Sequence, residues 1–287
     1  MPASRTRGGI GESIPRPDSP AKVRGEFTFG SDLVAPGMIY GRTVRSPHPR
    51  ALVRSVDTRA AAAMAGVRAV LTAADIPGDR LYSLHKPPDQ PVLVGVGEEV
   101  RYRGEQVALV AADHPEQARL AAEAVVVEYE TLPALLDPVD ALRQGSSLRE
   151  LVIRRGDPAA RAPIVVEGYY EVGQQDQAPL GPEAGLAVPT PHGGIDLFVA
   201  TQALHVDLEQ VEASLALPRG AVRLHLAGVG GAFGAREDLS IHIHACLLAL
   251  RAGRPVKMSY GREESFVGHV HRHPAKMWYS TGAAQDG

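Results

Sequence analysis

The alternation of apolar and polar positions changes character near Met38. Residues 1–21 before it are polar and rich in Pro and Gly, carry Arg5, Arg7 and Arg16, and hold no apolar run, which predicts an extended lead-in lying along a surface. After it come two short β-type runs, GMIYGRTVR and ALVRSVD, then an alanine-rich helix over Thr58–Ala65 that Gly66 ends, and the buried strand VRAVLTA. Tyr82–Glu98 has prolines and little period and reads as a loop. EQVALVAAD is a second apolar strand. His114-Pro115 opens a helix with Ala118, Ala121, Ala122 and Ala124 at helical spacing, and VVVEYE follows as a strand. This strand, helix and strand are compatible with a βαβ-like layer.

Asp137–Pro163 mixes Pro, Gly, Ser and Arg and predicts a linker, so the chain divides into a first domain at 22–140, a linker at 141–163 and a second domain at 164–287. The second domain opens with VVEGYYEV and a loop, GQQDQAPLGPEAG, before the strand GGIDLFVATQ. A helix over Leu204–Leu217, a strand VRLHLAG, a glycine-rich turn, a helix from about Asp238 to Arg251 and a strand PVKMSY follow. The fold class is mixed α/β (α+β). Asp286-Gly287 is a hairpin-turn signal with no second strand after it, which implies a longer polypeptide or a strand from another chain.

Composition narrows the class. The 287 residues are 44% hydrophobic and 22% charged, as in an ordinary globular protein, and at roughly 150 residues per domain they suffice for two. A single cysteine, Cys246, excludes an intrachain disulfide framework and any four-cysteine zinc or iron–sulfur site; within ACLLAL it reads as a buried, inert thiol. A net charge of −3 gives no general reason to bind nucleic acid or anionic lipid. With no signal-like apolar core and no apolar run of spanning length, the expected partners include no membrane and the expected compartment is the cytoplasm.

The candidate chemistry centres on Gly228-Val-Gly-Gly-Ala-Phe-Gly-Ala-Arg-Glu237, which joins a strand to a helix. Such a turn can aim backbone amides and a helix's positive end at an oxyanion, a phosphate or a metal-oxo ligand; equally, it can be a structural turn built on positive φ angles. It is neither a P-loop nor a dinucleotide fingerprint, since no Gly-Lys-Ser/Thr follows and Phe stands at 233. Arg236 and Glu237 at its mouth read either as a substrate-orienting pair or as a solvated pair in a helix's first turn. Gln202 ends the strand LFVATQ, as a ligand-facing carboxamide or as a loop cap. His269, His271 and His273 alternate, so a strand there would place three imidazoles on one face as zinc ligands. His242 and His244, on a helix, do not face each other. No G-x-S-x-G elbow occurs.

Taken in order, GRTVRSPHPRA, GVRAVLTAADIPG, VRYRGEQVALVAAD and AAEAVVVEYETLPALLDPVDAL resemble the a/b hammerhead domain of the molybdenum-binding subunit in the xanthine dehydrogenase and aldehyde oxidase family. FVATQ, GVGGAFGARED, ALRAGRPVKM and RHP resemble the first of that family's molybdopterin-binding domains. The resemblance implies a molybdenum hydroxylase component, acting on an N-heterocycle of purine type or an aldehyde with water as oxygen source. It implies that Gln202, Gly231, Ala232, Phe233 and Gly234 contact a molybdenum–molybdopterin cofactor, the cytosine dinucleotide form being one option. Arg236 and Glu237 would meet the substrate, with Glu237 as the catalytic, heterocycle-polarising carboxylate. Ala232, Ala235 and Arg236 stand where the family has Gly, Gly and Lys. No side chain need ligate the metal. The implied partners are an iron–sulfur subunit bearing 2Fe–2S clusters, an FAD subunit, and a second molybdopterin-domain chain or C-terminal half. Two other readings stay open: a noncatalytic cofactor-binding or assembly subunit, and a zinc hydrolase built on the three alternating histidines.

Overall fold

The computed structural model describes residues 10–84, 86–157 and 160–286, so Arg5, Arg7 and Gly287 of the terminal turn lie outside the described residues. In chain order the first half contains α1 (Ser19–Arg24), β1 (Ile39–Arg45), β2 (Ala51–Asp57), α2 (Arg59–Ala62), β3 (Val67–Thr72), β4 (Leu81–Tyr82), β5 (Gln90–Pro91), β6 (Glu99–Val100), β7 (Gln106–Ala112), α3 (Pro115–Glu123), β8 (Val126–Thr131) and α4 (Pro138–Arg143). The second half contains β9 (Ile164–Val172), β10 (Ala184–Pro189), β11 (Ile195–Val199), α5 (Leu204–Leu215), β12 (Val222–Leu226), α6 (His242–Ala252), β13 (Val256–Ser259), α7 (Arg262–Gly268) and β14 (Ala275–Ala283).

Seven strands form one mixed sheet in the order β12-β11-β10-β13-β1-β7-β3. The two halves meet inside it, where β1 runs parallel to β13 with Ile39 opposite Val256 and Gly41 opposite Met258. The expected linker therefore separates two stretches of sequence that share a sheet, and its own residues are largely exposed. β7 shows why a strand can lose its polar face. Leu109 and Ala111 pack into one apolar cluster with α6, while Ala108 and Val110 pack into another with Ala61 and Ala121. Covered on both sides, QVALVAA is buried at every position.

Three expectations change. The β7–α3–β8 stretch is not a βαβ unit: β7 is antiparallel to both neighbours, and β8 joins a separate sheet ordered β6-β2-β8. The polar alternation of β8 leaves it one face to bury, which it sets against Val53, Val94, Val100 and Val107. The lead-in is not extended throughout, because Pro20 and the left-handed Gly25 bound the short helix α1. Finally, α6 begins at His242 rather than near Asp238, since 233–240 form turns. Eight consecutive residues, His242–Ala249, are then buried as α6 crosses the sheet.

The loop over Tyr82–Glu98 is anchored by Val92, Leu93 and Val94, which enter the core. β14 finds its partner within the chain, running antiparallel to β9 from Ala275 opposite Val172 to Ala283 opposite Ile164. Tyr169 packs on Trp278 and Tyr170 on Tyr279 along this exposed ribbon.

Candidate functional site

Beyond β11 the chain enters the buried pair Ala200-Thr201 and surfaces at Gln202. The Thr201 hydroxyl donates to the buried Asp207 carboxylate and accepts the amide of Ala203 at 3.1 Å, which ties the strand end to the first turn of α5. Beside it, the Ala227 amide donates to the Val199 carbonyl at 2.9 Å, so the chain leaving β12 stays next to β11 as it enters the glycine-rich turn. The Gln202 amide then donates to the Arg236 carbonyl at 3.1 Å. This backbone bond places Gln202 next to the end of the glycine-rich turn.

The turn itself uses left-handed backbone at three positions, with φ of +116° at Gly231, +53° at Phe233 and +89° at Gly234. Glycine adopts such angles freely. At Phe233 they cost strain, and the ring stands 77% exposed. Gly228 is needed for contact, because a Cβ there would lie 2.8 Å from the Thr28 carbonyl and 2.2 Å from the Phe27 ring. Next to the turn is a cleft of about 270 Å³ lined by Phe29, Leu180, Pro182, Ala200, Gly230 and Arg236, among others. Ala232 is half-buried and closes the turn by accepting the Ala235 amide at 2.9 Å.

Arg236 and Glu237 do not act as a pair at the mouth. Glu237 is exposed and reaches over Gly234, where a Cβ would meet its Oε1 at 3.8 Å. Arg236 turns inward: its guanidinium donates to the Gly181 carbonyl at 2.6 Å and lies 3.4 Å from Oε1 of the fully buried Glu183. Burial lowers its pKa, and the nearby carboxylate opposes that shift. Its hydrogen bonds hold the turn against the loop before β10, although it still lines the cleft. Gln177, on that loop, was missed; its amide nitrogen would lie 3.7 Å from a Cβ at Gly234, opposite Glu237 on the open side of the turn. The polar run Gln-Gln-Asp-Gln was its only signal.

The histidines are sorted differently from the alternating pattern. His269 and His271 stack with centroids 4.7 Å apart, but His273 is exposed and the third group is Asp176. The expected strand is absent there, since His269 is the C-cap of α7. His242 and His244 are both buried; the first lies 3.8 Å from Asp207, and Nε2 of the second is 2.9 Å from the Val92 carbonyl. Burial lowers their pKa values to about 3 and about 4. Cys246 is fully buried, and burial raises its pKa. Among the described residues, no helix is long and apolar enough to cross a membrane.

Residues 24–133 match the aldehyde oxidase and xanthine dehydrogenase a/b hammerhead domain, and residues 144–287 match the molybdopterin cofactor-binding domain. The chain is 38% identical over 283 residues to a probable xanthine dehydrogenase subunit of Bacillus subtilis, covering 95% of this chain and 38% of that one. It is 35% identical over 289 residues to the nicotinate dehydrogenase large molybdopterin subunit of Eubacterium barkeri, covering 97% of this chain and 67% of the relative. Among solved structures, reconstituted CO dehydrogenase from Oligotropha carboxidovorans superposes with a TM-score of 0.84 at 29% identity, over 96% of this chain and 38% of that one. The chain spans between about a third and two thirds of the length of these three proteins. The shared domains, their order and the similarity to these relatives agree: the chain belongs to the xanthine dehydrogenase and aldehyde oxidase family of molybdenum hydroxylases, with its hammerhead domain followed by a molybdopterin-binding domain.

Proposed function

We propose that this chain forms one wall of the active site of a molybdenum-dependent hydroxylase acting on an N-heterocycle of purine or pyridine type, with aldehydes as the other substrate class. The observation that carries this reading is the hydrogen bond from the Gln202 backbone N–H to the Arg236 carbonyl, which sets the exposed Gln202 beside a strained, open turn. The residues fit a pterin-borne oxo-metal group. The cleft next to the turn is lined by Gly30, Gly181, Gly228 and Gly230 among apolar side chains, and on the turn itself the left-handed Gly234 leaves open the space between Gln177 and Glu237. Bound there, the cofactor would supply the two-electron oxidation that places a water-derived oxygen on an electron-poor carbon.

Gln202, Gly231, Ala232, Phe233 and Gly234 would hold that group through the side-chain carboxamide and the turn's backbone. They offer dipoles preset toward developing negative charge, and the fixed backbone needs no reorganisation. Phe233, whose ring is exposed at the turn, would shield a bound cofactor from water. Glu237 accepts a ring N–H, or shares a proton with a ring nitrogen, and so orients a heterocycle. Arg236 serves by bracing the turn through Gly181 and Glu183 rather than by meeting the substrate. The similarity to a nicotinate dehydrogenase subunit favours the heterocycle. With one cysteine the chain lacks the ligands for a cluster, so a 2Fe–2S subunit would carry the electrons away, and an FAD subunit and a second molybdopterin domain, on another chain or in a C-terminal half, would complete a cytoplasmic enzyme.

The test is steady-state oxidation of xanthine, nicotinate and benzaldehyde by the assembled enzyme, with Glu237→Gln as the variant. We expect kcat/KM for the favoured heterocycle to fall at least tenfold while aldehyde turnover is kept. Equal rates for wild type and variant on every heterocycle oppose the assignment of Glu237.

A further inference from the structure

We propose that Asp176, His269 and His271 form a mononuclear site for a first-row divalent ion of the zinc class. The site adjoins the glycine-rich turn through Gln177 and Glu183, and it is independent of the molybdenum reading. Three observations carry it. First, the three donors converge: Nε2 of His269 lies 3.2 Å and Nε2 of His271 2.9 Å from the same carboxylate oxygen, Oδ2 of Asp176. Ligands bonded at about 2.1 Å to one ion are separated by about 3.0–3.4 Å along the edges of its coordination polyhedron. Second, the convergence is not hydrogen bonding: Nε2 of His269 and Oδ2 of Asp176 are both buried and without a hydrogen-bond partner. Two buried lone-pair-bearing atoms facing each other at that distance are costly unless something positive sits between them.

Third, the ligands are held in place. Asp176 comes from the loop before β10 and the histidines from the segment after α7. These segments are joined by a two-way backbone bridge, with the Arg272 amide donating to Gln175 at 3.0 Å and the Gln175 amide to Arg272 at 3.3 Å. Each bridge residue adjoins a ligand. Behind His269, Nδ1 faces Oε1 of the buried Glu183 at 3.6 Å, and the Arg236 guanidinium lies 3.4 Å from the same oxygen. At that distance Nδ1 makes no hydrogen bond, but the buried carboxylate keeps negative charge beside the imidazole, which favours a cation at the site. Two imidazoles with one carboxylate suit zinc and its neighbours rather than calcium or magnesium, which prefer all-oxygen shells. His269 and His271 also line a cleft of about 330 Å³ with Tyr82, Tyr260 and Asp238, which offers an entry path and room for water at the open positions.

The experiment uses the full chain, free of pterin, stripped with EDTA and then dialysed against zinc chloride or cobalt chloride. We expect one equivalent of zinc by elemental analysis and a visible d–d absorption with cobalt. Asp176→Asn and His271→Gln should each weaken zinc binding at least tenfold, while His273→Gln leaves it unchanged. Zinc should also shield His271 of the wild-type chain from diethyl pyrocarbonate, a readout that needs no variant. No stoichiometric uptake, retained affinity in both ligand variants, or equal modification of His271 with and without zinc overturns the site. Because no pterin is present, none of these results bears on the molybdenum reading.

Discussion

Acidification should unfold this protein through its buried histidines, and His244 gives the cleanest test. It sits on α6 with Nε2 against the Val92 carbonyl at 2.9 Å, joining the two halves of the chain, and it is 3% exposed. Burial lowers its pKa from 6.5 to about 4. The folded state therefore refuses a proton that the unfolded chain accepts, so the stability is full above pH 6.5 and is lost as pH falls toward 4. At about 1.4 kcal/mol per pKa unit, that loss is about 3 kcal/mol for His244. His242, lowered to about 3, adds a similar loss by pH 4. Asp207 works in the opposite direction: burial raises its pKa from 3.8 to about 6, so it gains stability as pH falls through 6. The three leave a net loss of about 4 kcal/mol between pH 7 and pH 4, a large share of the roughly 5–15 kcal/mol that stabilises a typical fold. His244→Gln keeps an N–H for the Val92 carbonyl and cannot be protonated. Urea unfolding followed by circular dichroism at pH 7 and pH 4 should therefore show the variant losing about 3 kcal/mol less than wild type over that interval. An identical pH dependence in the two proteins refutes the role given to His244.

Arg236→Met should destabilise the fold by about 3–5 kcal/mol, because it leaves the carboxylate of Glu183 buried without its partner; the urea midpoint reports this, and Arg236→Met with Glu183→Leu should recover part of it. Gly78→Ala should cost about 1–3 kcal/mol, since a Cβ there would lie 2.0 Å from the Ala213 carbonyl, where the first half docks on the end of α5. Cys246 should resist Ellman's reagent in the native chain and react fully once urea unfolds it; rapid reaction at pH 7 without denaturant would contradict its burial.

What could be read from the residues depended on how far apart the partners lie. β7 was legible because an unbroken apolar run of that length demands cover on both faces, and α3 because Pro115 and its alanine spacing are local signals. Strand order was not legible. Nothing in VVVEYE says that it pairs with β2 rather than beside β7. The inward turn of Arg236 depends on Glu183, 53 residues away, and no local signal in the glycine-rich segment indicates it. The alternating histidines are visible in the sequence, but three imidazoles share a face only on a strand, and alternation alone does not make one. Asp176, which lies against His269 and His271, comes from a loop joined to their segment by the Gln175–Arg272 bridge. The glycine-rich turn was legible as a family pattern, whereas the left-handed backbone of Phe233 was not, because side-chain identity there argues against it.

The central claim is that the turn around Phe233 and the neighbouring Gln202 hold a molybdopterin cofactor. Its most direct test is the molybdenum and pterin content of the assembled enzyme, by elemental analysis and fluorescence of the oxidised pterin, for wild type, Gln202→Ala and Gly234→Val. Near-stoichiometric cofactor is expected in wild type, and at least a tenfold loss in Gly234→Val, where a branched side chain would meet a φ of +89° and fill the cradle. Full cofactor occupancy in both variants, or its absence from the wild-type assembly, would contradict the claim.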